Sequence, residues 1–139
     1  MPFKKTYNFF NQVLTCRSMK VSTWFDLEED SYNFIKKKTN KAGWSFNRID
    51  TTNQIGFPDI LIVKEQAYCL IEVKRLKKKS LKLLEDDLVW QFGQIGFACS
   101  ALKQKQNYVL SVVYKNNIAF IGDNNVQSII SDTFFTGLI

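Results

Sequence analysis

Two short apolar runs, Ile60–Val63 and Tyr68–Ile71, constrain the fold of this chain more than any other feature. A few polar residues separate them, and such a pair of runs is typical of a β-hairpin. We expect the loop to be Lys64–Ala67, which sets Val63 opposite Tyr68. This register fixes the partner of every other residue in the hairpin, because opposed positions are counted outward from the loop.

The same register brings three charged side chains to one end of the hairpin. Asp59 falls directly across from Glu72, and opposed residues have Cβ atoms only about 4.5–5.5 Å apart on the same face. Lys74 lies two residues beyond Glu72 and shares that face. Two adjacent carboxylates repel each other, and burial makes the repulsion stronger. A divalent cation such as Mg²⁺ relieves it, since Mg²⁺ binds through one or two carboxylates, several waters and phosphate oxygens.

The pattern of Pro58-Asp59 followed by Glu72-Val73-Lys74 resembles the PD-(D/E)XK nuclease superfamily, most closely its VRR-NUC domains and archaeal-type Holliday junction resolvases. The resemblance extends from about Leu27 to Tyr114. It implies Asp59 and Glu72 as ligands of Mg²⁺, for which Mn²⁺ would substitute, with the Val73 carbonyl completing the site. It also implies that Lys74 positions or polarises the attacking water. The alternative is an ordinary hairpin that ends in a surface salt-bridge cluster.

Composition narrows the function classes. The chain has 139 residues, three cysteines, no histidine and a net charge of +6. We expect one domain. Cys16, Cys69 and Cys99 are widely spaced, which favours reduced thiols and an intracellular setting. Zinc sites and histidine-based triads are not expected without histidine or a CxxC pair. No apolar run approaches the roughly 20 residues of a membrane span, and nothing indicates an organic cofactor.

Periodicity predicts a helix from Asp26 to Gly43, a strand over Trp44–Ile49, the two hairpin strands, and a long helix over Leu83–Lys105. A strand over residues 108–114, a turn at Asn116-Asn117 and a short strand over residues 118–121 follow. This is an α/β (α+β) chain, and its order matches the αβββαβ core of restriction-endonuclease-like folds, a mixed central sheet flanked by helices. We place this core at about residues 24–122, between terminal extensions. Residues 1–23 are expected to form a short strand or helix, or an arm that contacts DNA.

Further site residues follow from the resemblance and from helical spacing. Members of the superfamily often take one more carboxylate from the first helix. Glu28 is preferred over Glu29 because it shares a stripe with apolar residues. In the second long helix Gln91 is preferred over Gln94 as a group that orients water or contacts phosphate. Each of these residues has a plain alternative as a helix-terminal acid or a surface glutamine.

The basic residues favour DNA as a partner. Cations at the mouth of a metal–phosphate site follow the nucleic-acid backbone. Arg48 either reaches phosphate or pairs with a nearby acid, such as Asp50 or one on the first helix. The expected contacts are completed by the basic residues after the hairpin, which are Arg75, Lys77, Lys78 and Lys79.

Three functions stay open from the sequence. The first is a Mg²⁺-dependent endonuclease that selects branched DNA. The second is a sequence-specific restriction-like or homing endonuclease, and the third is a binding module without catalysis.

Cutting both strands would need a homodimer. The apolar segment around Ile129-Ile130 and Phe134-Phe135 is either the dimer contact or part of the core. Trp44 and Trp90 are expected in the core. The abundance of Asn, Lys, Ile and Phe is consistent with an AT-rich phage or mobile-element genome.

Overall fold

A computed structural model describes residues 3–9, 12–49, 58–76 and 107–136. The predicted helix over Leu83–Lys105, with Trp90, Gln91 and Gln94, lies outside these residues, as do Lys77, Lys78 and Lys79. The described elements are the strands β1 (Phe3–Phe9), β2 (Gln12–Phe25), β3 (Ser45–Arg48), β4 (Ile60–Lys64), β5 (Ala67–Arg75) and β6 (Tyr108–Asp123), and the helices α1 (Glu28–Lys41) and α2 (Gln127–Phe134).

The strands form one mixed sheet in the order β1-β2-β6-β5-β4-β3. Only the β5–β6 pair is parallel among the described ladders, and the others are antiparallel. A parallel pair needs a crossover of a dozen or more residues, and residues 77–106 provide the length for one. The α+β class with a mixed sheet is therefore confirmed.

The β4–β5 hairpin has the predicted register. Val63 pairs with Tyr68 and Leu61 pairs with Leu70. The turn is tighter than expected, because Lys64 and Ala67 are themselves paired and only two residues connect the strands. Glu65 takes a φ of 55°, in the left-handed region that two-residue hairpin loops require.

Element β6 folds back on itself. Its first part, up to Val113, pairs with β5, and its second part pairs with β2. A Cβ added to Gly122 would lie 3.5 Å from the Tyr108 carbonyl oxygen, so the two ends of the element lie side by side. The reversal is centred near Lys115, whose φ is 53°. The two predicted strands are thus arms of one hairpin, whose turn begins one residue before the predicted Asn116-Asn117.

The N-terminal residues belong to the sheet. β1 and β2 form an antiparallel hairpin, and β2 pairs with the second arm of β6. Leu14 and Cys16 are buried within β2. The strand continues through Trp24 and Phe25, and α1 begins only at Glu28, later than the predicted Asp26. The extension predicted before residue 24 therefore forms paired strands of the sheet.

The core has two parts, one on each face of the sheet. Alternate residues of β4 and β5 divide between them: Ile60 and Ile71 pack with α1 and α2 in the first cluster, and Leu61 and Leu70 belong to the second cluster with Leu110. Trp44 is buried in the first cluster, as predicted. In the described part of the chain, neither helix is long and apolar enough to cross a membrane.

Helix α2 closes the first cluster. Phe134 stacks on Phe120 with ring centroids 4.1 Å apart, and Phe135 meets the same ring edge-on. Ile130 is fully buried and Ile129 packs against the cluster. Of the two roles expected for this segment, core packing is confirmed. The alternative role of the segment in a dimer contact stays a prediction, and the buried side chains of Ile130, Phe134 and Phe135 do not contribute to it.

Replacing Phe134 tests this assignment. Phe134→Ala should lower the free energy of unfolding by about 3–5 kcal/mol, the usual cost of deleting a buried aromatic ring, without changing the oligomeric state. Urea unfolding and light scattering measure the two quantities. Ser128→Ala on the exposed side of α2 is the matched control and should change neither. A shift in oligomeric state with unchanged stability would contradict the core assignment.

Candidate active site at the end of the β4–β5 hairpin

Asp59 is fixed from both sides, immediately before β4 begins. Its carbonyl accepts a hydrogen bond of 2.7 Å from the Ile49 amide, which follows β3. Its Oδ2 accepts one of 2.9 Å from the Val73 amide in β5. The preceding residue, Pro58, is buried. The Val73 amide therefore orients the carboxylate, while the Ile49 amide holds the backbone of Asp59.

Glu72 lies beside Asp59, and its electrostatic surroundings differ sharply from those in water. Burial raises the pKa of Glu72 to about 9, together with a hydrogen bond to Asp59 and the negative charges of Asp59 and Glu28, while Lys74 opposes the shift. A carboxyl group surrounded in this way keeps its proton unless a cation arrives. The hairpin thus brings together the carboxylate pair that the sequence predicts.

Lys74 follows on the same face. Leu70 belongs to the second core cluster, so Glu72 and Lys74, at alternate positions along β5, point to that side of the sheet. Lys74 is exposed, whereas Val73 between them is buried on the opposite face. The Lys74 ammonium group is close enough to lower the pKa of Glu72. The strand therefore presents a partly buried carboxyl group and an exposed ammonium group side by side.

Tyr32 is a site residue that the sequence reasoning missed. Its hydroxyl donates a hydrogen bond of 3.0 Å to Glu28 Oε1, and its side chain is buried. Burial, then the negative charges of Asp59 and Glu28, raise the pKa of Tyr32 well above its usual range. Tyr32 therefore links the first turn of α1 to the carboxylate pair. Its signal was the spacing of four residues from Glu28, which places both on one helical stripe.

The two acids at the start of α1 have different surroundings. The charge of Glu28 acts on Glu72. Glu29 instead forms an ion pair of 2.9 Å with Arg48, whose guanidinium also lies 4.0 Å from the centre of the Tyr32 ring. Arg48 is expected from the sequence either to reach phosphate or to pair with an acid. In the structure it pairs with Glu29, an acid of helix α1. Arg48 therefore contacts both Glu29 and the ring of Tyr32.

Arg75 is also held within the protein. Its Nε donates a hydrogen bond of 3.1 Å to the carbonyl of Phe25, the last residue of β2. This contact fastens the end of β2 next to the end of β5. The contact of Arg75 with Phe25 is structural. It uses one of the five N–H donors of the guanidinium group.

The donor set suits a hard divalent cation. Among the described residues no group of three or more His, Cys, Asp or Glu side chains could hold a metal ion. Mg²⁺ does not need three, because it commonly binds through one or two carboxylates and keeps several waters. The mutual repulsion of Asp59 and Glu72 favours a cation between them. Because the N–H and C=O groups of one strand residue point to the same side, the Val73 carbonyl faces Asp59 as well.

Comparison with solved structures finds distant similarity. No protein-family model matches this chain, and no curated protein sequence does. A solved structure of Hjc, a Holliday junction resolvase from Archaeoglobus fulgidus, matches with a TM-score of 0.41 and 15% identity over 71% of this chain and 89% of that chain. At this level of similarity we take no residue role and no substrate from that protein.

The shifted pKa of Glu72 predicts a pH-dependent stability. In the unfolded chain Glu72 loses its proton near pH 4.5, whereas in the folded chain it keeps the proton to about pH 9. The folded state therefore loses stability as pH rises between these values. Glu72→Gln, which cannot ionise, should raise the melting temperature at pH 8 by on the order of 5 °C, the effect of about 1 kcal/mol, and leave it unchanged at pH 4.

Thermal melts without divalent cations at several pH values measure this effect. The matched control is Glu65→Gln in the exposed β4–β5 turn, which should follow the wild-type pH profile. Equal melting temperatures of wild type and Glu72→Gln from pH 4 to pH 8 would contradict the buried, charge-repelled environment of Glu72.

Proposed function

We propose that this protein is a metal-dependent endonuclease that hydrolyses phosphodiester bonds in branched DNA. The observation that carries the proposal is the pairing of Asp59 with the partly buried Glu72, with Lys74 on the same face of β5. A binding module has no physical need for two carboxyl groups that repel each other. Hydrolysis of a phosphodiester needs a cation site, an oriented water and positive charge near the phosphate, and these side chains have the required chemistry.

Each residue has a role in this proposal. Asp59 and Glu72 hold Mg²⁺ or Mn²⁺, with the Val73 carbonyl as a further ligand. When bound, the cation lowers the pKa of water and offsets negative charge on the phosphate. Lys74 orients the attacking water and neutralises charge that develops on the phosphate oxygens. Glu28 supplies a nearby carboxylate that Tyr32 holds in place.

DNA is the proposed substrate because the chain carries a net charge of +6. Arg48 and Arg75 each make a contact within the protein, and both retain donors for phosphate. We assign the remaining backbone contacts to Lys77, Lys78 and Lys79, which follow β5 in the sequence, and the orienting of water also to Gln91. All four residues lie outside the described part of the chain. The resemblance of the Asp59…Lys74 motif to junction resolvases is the reason for choosing branched DNA.

A homodimer completes the proposal. Symmetric cleavage of a junction needs two sites related by two-fold symmetry, and one chain carries one Asp59–Glu72 pair. The buried face of α2 does not supply the contact, so the dimer surface must be elsewhere.

Cleavage assays test the proposal directly. Wild type should cut a four-way junction with Mg²⁺ or Mn²⁺ at symmetric positions, and EDTA should abolish cutting. Lys74→Ala should lower the rate by at least about 100-fold, as expected for loss of a group that stabilises charge in the transition state, with unchanged affinity for the junction. Lys64→Ala, an exposed lysine at the far end of β4, is the matched control and should cut at the wild-type rate.

The other outcomes separate the competing functions. Cutting of linear duplex at discrete sites would indicate a sequence-specific endonuclease. Full activity of Lys74→Ala would remove Lys74 from catalysis. Binding of the junction without cutting in any divalent cation would indicate a module that only binds DNA.

Cation binding gives a measurement that does not depend on catalysis. At pH 8, millimolar Mn²⁺ should raise the melting temperature of the wild type by a few degrees, because ligands that bind only the folded state stabilise it. Asp59→Asn should abolish this shift, since it replaces a carboxylate ligand of the cation by a neutral amide. Asp123→Asn, which alters a carboxylate at the end of β6, is the control and should retain it. An equal Mn²⁺ shift in Asp59→Asn would contradict the proposed cation site.

A further inference from the structure

Exposed apolar side chains occur where β2 ends and α1 begins. In the described part of the chain three large apolar side chains are exposed: Val13, Trp24 and Leu27. Trp24 and Leu27 lie in the short segment that leads into Glu28. Trp24 is 53% exposed, although indole rings are usually well buried on average. The exposed indole ring of Trp24 is therefore available to contact a ligand.

Trp24 lies on the same face of the sheet as Lys74. Phe25 is buried in the first core cluster. Because neighbours on a strand point to opposite faces, Trp24 points to the side of the second cluster, where Glu72 and Lys74 also lie. The Arg75–Phe25 hydrogen bond ties the backbone next to Trp24 directly to the end of β5.

Tyr114 and Lys115 extend this surface. Lys115 pairs with Phe25 across the β2–β6 ladder. Tyr114 falls at an alternate position after Leu110 and Val112 of the second cluster, so it faces the same side. The Lys115 ammonium lies 5.4 Å from the centre of the Tyr114 ring. We call Trp24, Tyr114 and Lys115 the aromatic–basic rim of the site.

We propose that Trp24 stacks on an unpaired base of the nucleic acid held at the candidate site, with Lys115 on the adjacent backbone. This inference rests on the proposed function for its substrate class. Aromatic side chains bind single-stranded nucleic acid by stacking, since every base has an aromatic face, and nearby cations follow the phosphates. The rim combines these two elements within a few strand widths of Glu72. It would favour DNA with unpaired nucleotides, such as a fork or a frayed junction.

Binding in EDTA tests the inference without cleavage. Fluorescence polarisation compares a fork carrying a single-stranded arm with a fully paired duplex of equal length. Trp24→Ala should weaken binding to the fork at least about fivefold, the effect of losing one stacked base, and change binding to the duplex less than twofold. Trp24→Phe, which keeps an aromatic ring, should restore part of the affinity. Val13→Ala, an exposed apolar residue far from the rim on β2, is the matched control and should bind as wild type does.

Two further readouts separate stacking from charge. The dependence of fork affinity on salt should be unchanged in Trp24→Ala and shallower in Lys115→Ala, because only the lysine releases a counterion. Fork binding should quench tryptophan fluorescence in wild type more than in Trp24→Phe, since the difference between them isolates Trp24. Unchanged fork affinity of Trp24→Ala, an equal loss on fork and duplex, or equal quenching in both proteins would each overturn the inference.

The outcome for Trp24 is distinguishable from that for catalysis. If the wild-type preparation cuts DNA and Trp24→Ala binds the fork normally, the inference fails and the proposed function stands. If wild type cuts no DNA but Trp24→Ala selectively loses fork binding, the proposed function fails and base stacking at the rim is supported.

Discussion

The Asp59–Val73 hydrogen bond is the contact around which the candidate site is built. It joins a side-chain oxygen just outside β4 to a backbone amide within β5, and so extends the hairpin beyond its last ladder pair. The Ile49 amide holds the Asp59 carbonyl from the other side. With Asp59 fixed in this way, Glu72 lies across from it at the end of the hairpin. Burial raises the pKa of Glu72, and the hydrogen bond to Asp59 and the charge of Asp59 add to this shift.

Helix α1 contributes further contacts near the carboxylate pair, through Tyr32 and the two acids of its first turn. Tyr32 is buried, its ring contacts the Arg48 guanidinium, and its hydroxyl donates a hydrogen bond to Glu28. Arg48 is itself held by Glu29. These contacts keep Glu29 paired with Arg48, while the negative charge of Glu28 adds to the burial that raises the pKa of Glu72. A helix acid becomes part of a site through such second contacts, which sequence spacing alone does not reveal.

The sheet then connects the site to its surroundings. The doubling back of β6 lets one element pair with β5 on one side and with β2 on the other. As a result the end of β2 meets the end of β5, fastened by Arg75. Trp24 is thereby brought from the N-terminal hairpin to the rim of a site whose carboxylates come from the middle of the chain.

The hairpin register, the opposition of Asp59 and Glu72, and the mixed α+β class could be predicted from the sequence, because they follow from local alternation and from the short distance between β4 and β5. Helix α1 and the burial of Trp44 could be predicted from periodicity. The partners of Arg48 and Arg75, the contact of Tyr32 with Glu28, the burial of Phe134 and the long strand β2 could not. Those features depend on contacts between segments that are far apart in the chain. A side chain such as Arg48 or Arg75 has several chemically suitable partners, and the fold determines which of them lies within hydrogen-bond distance.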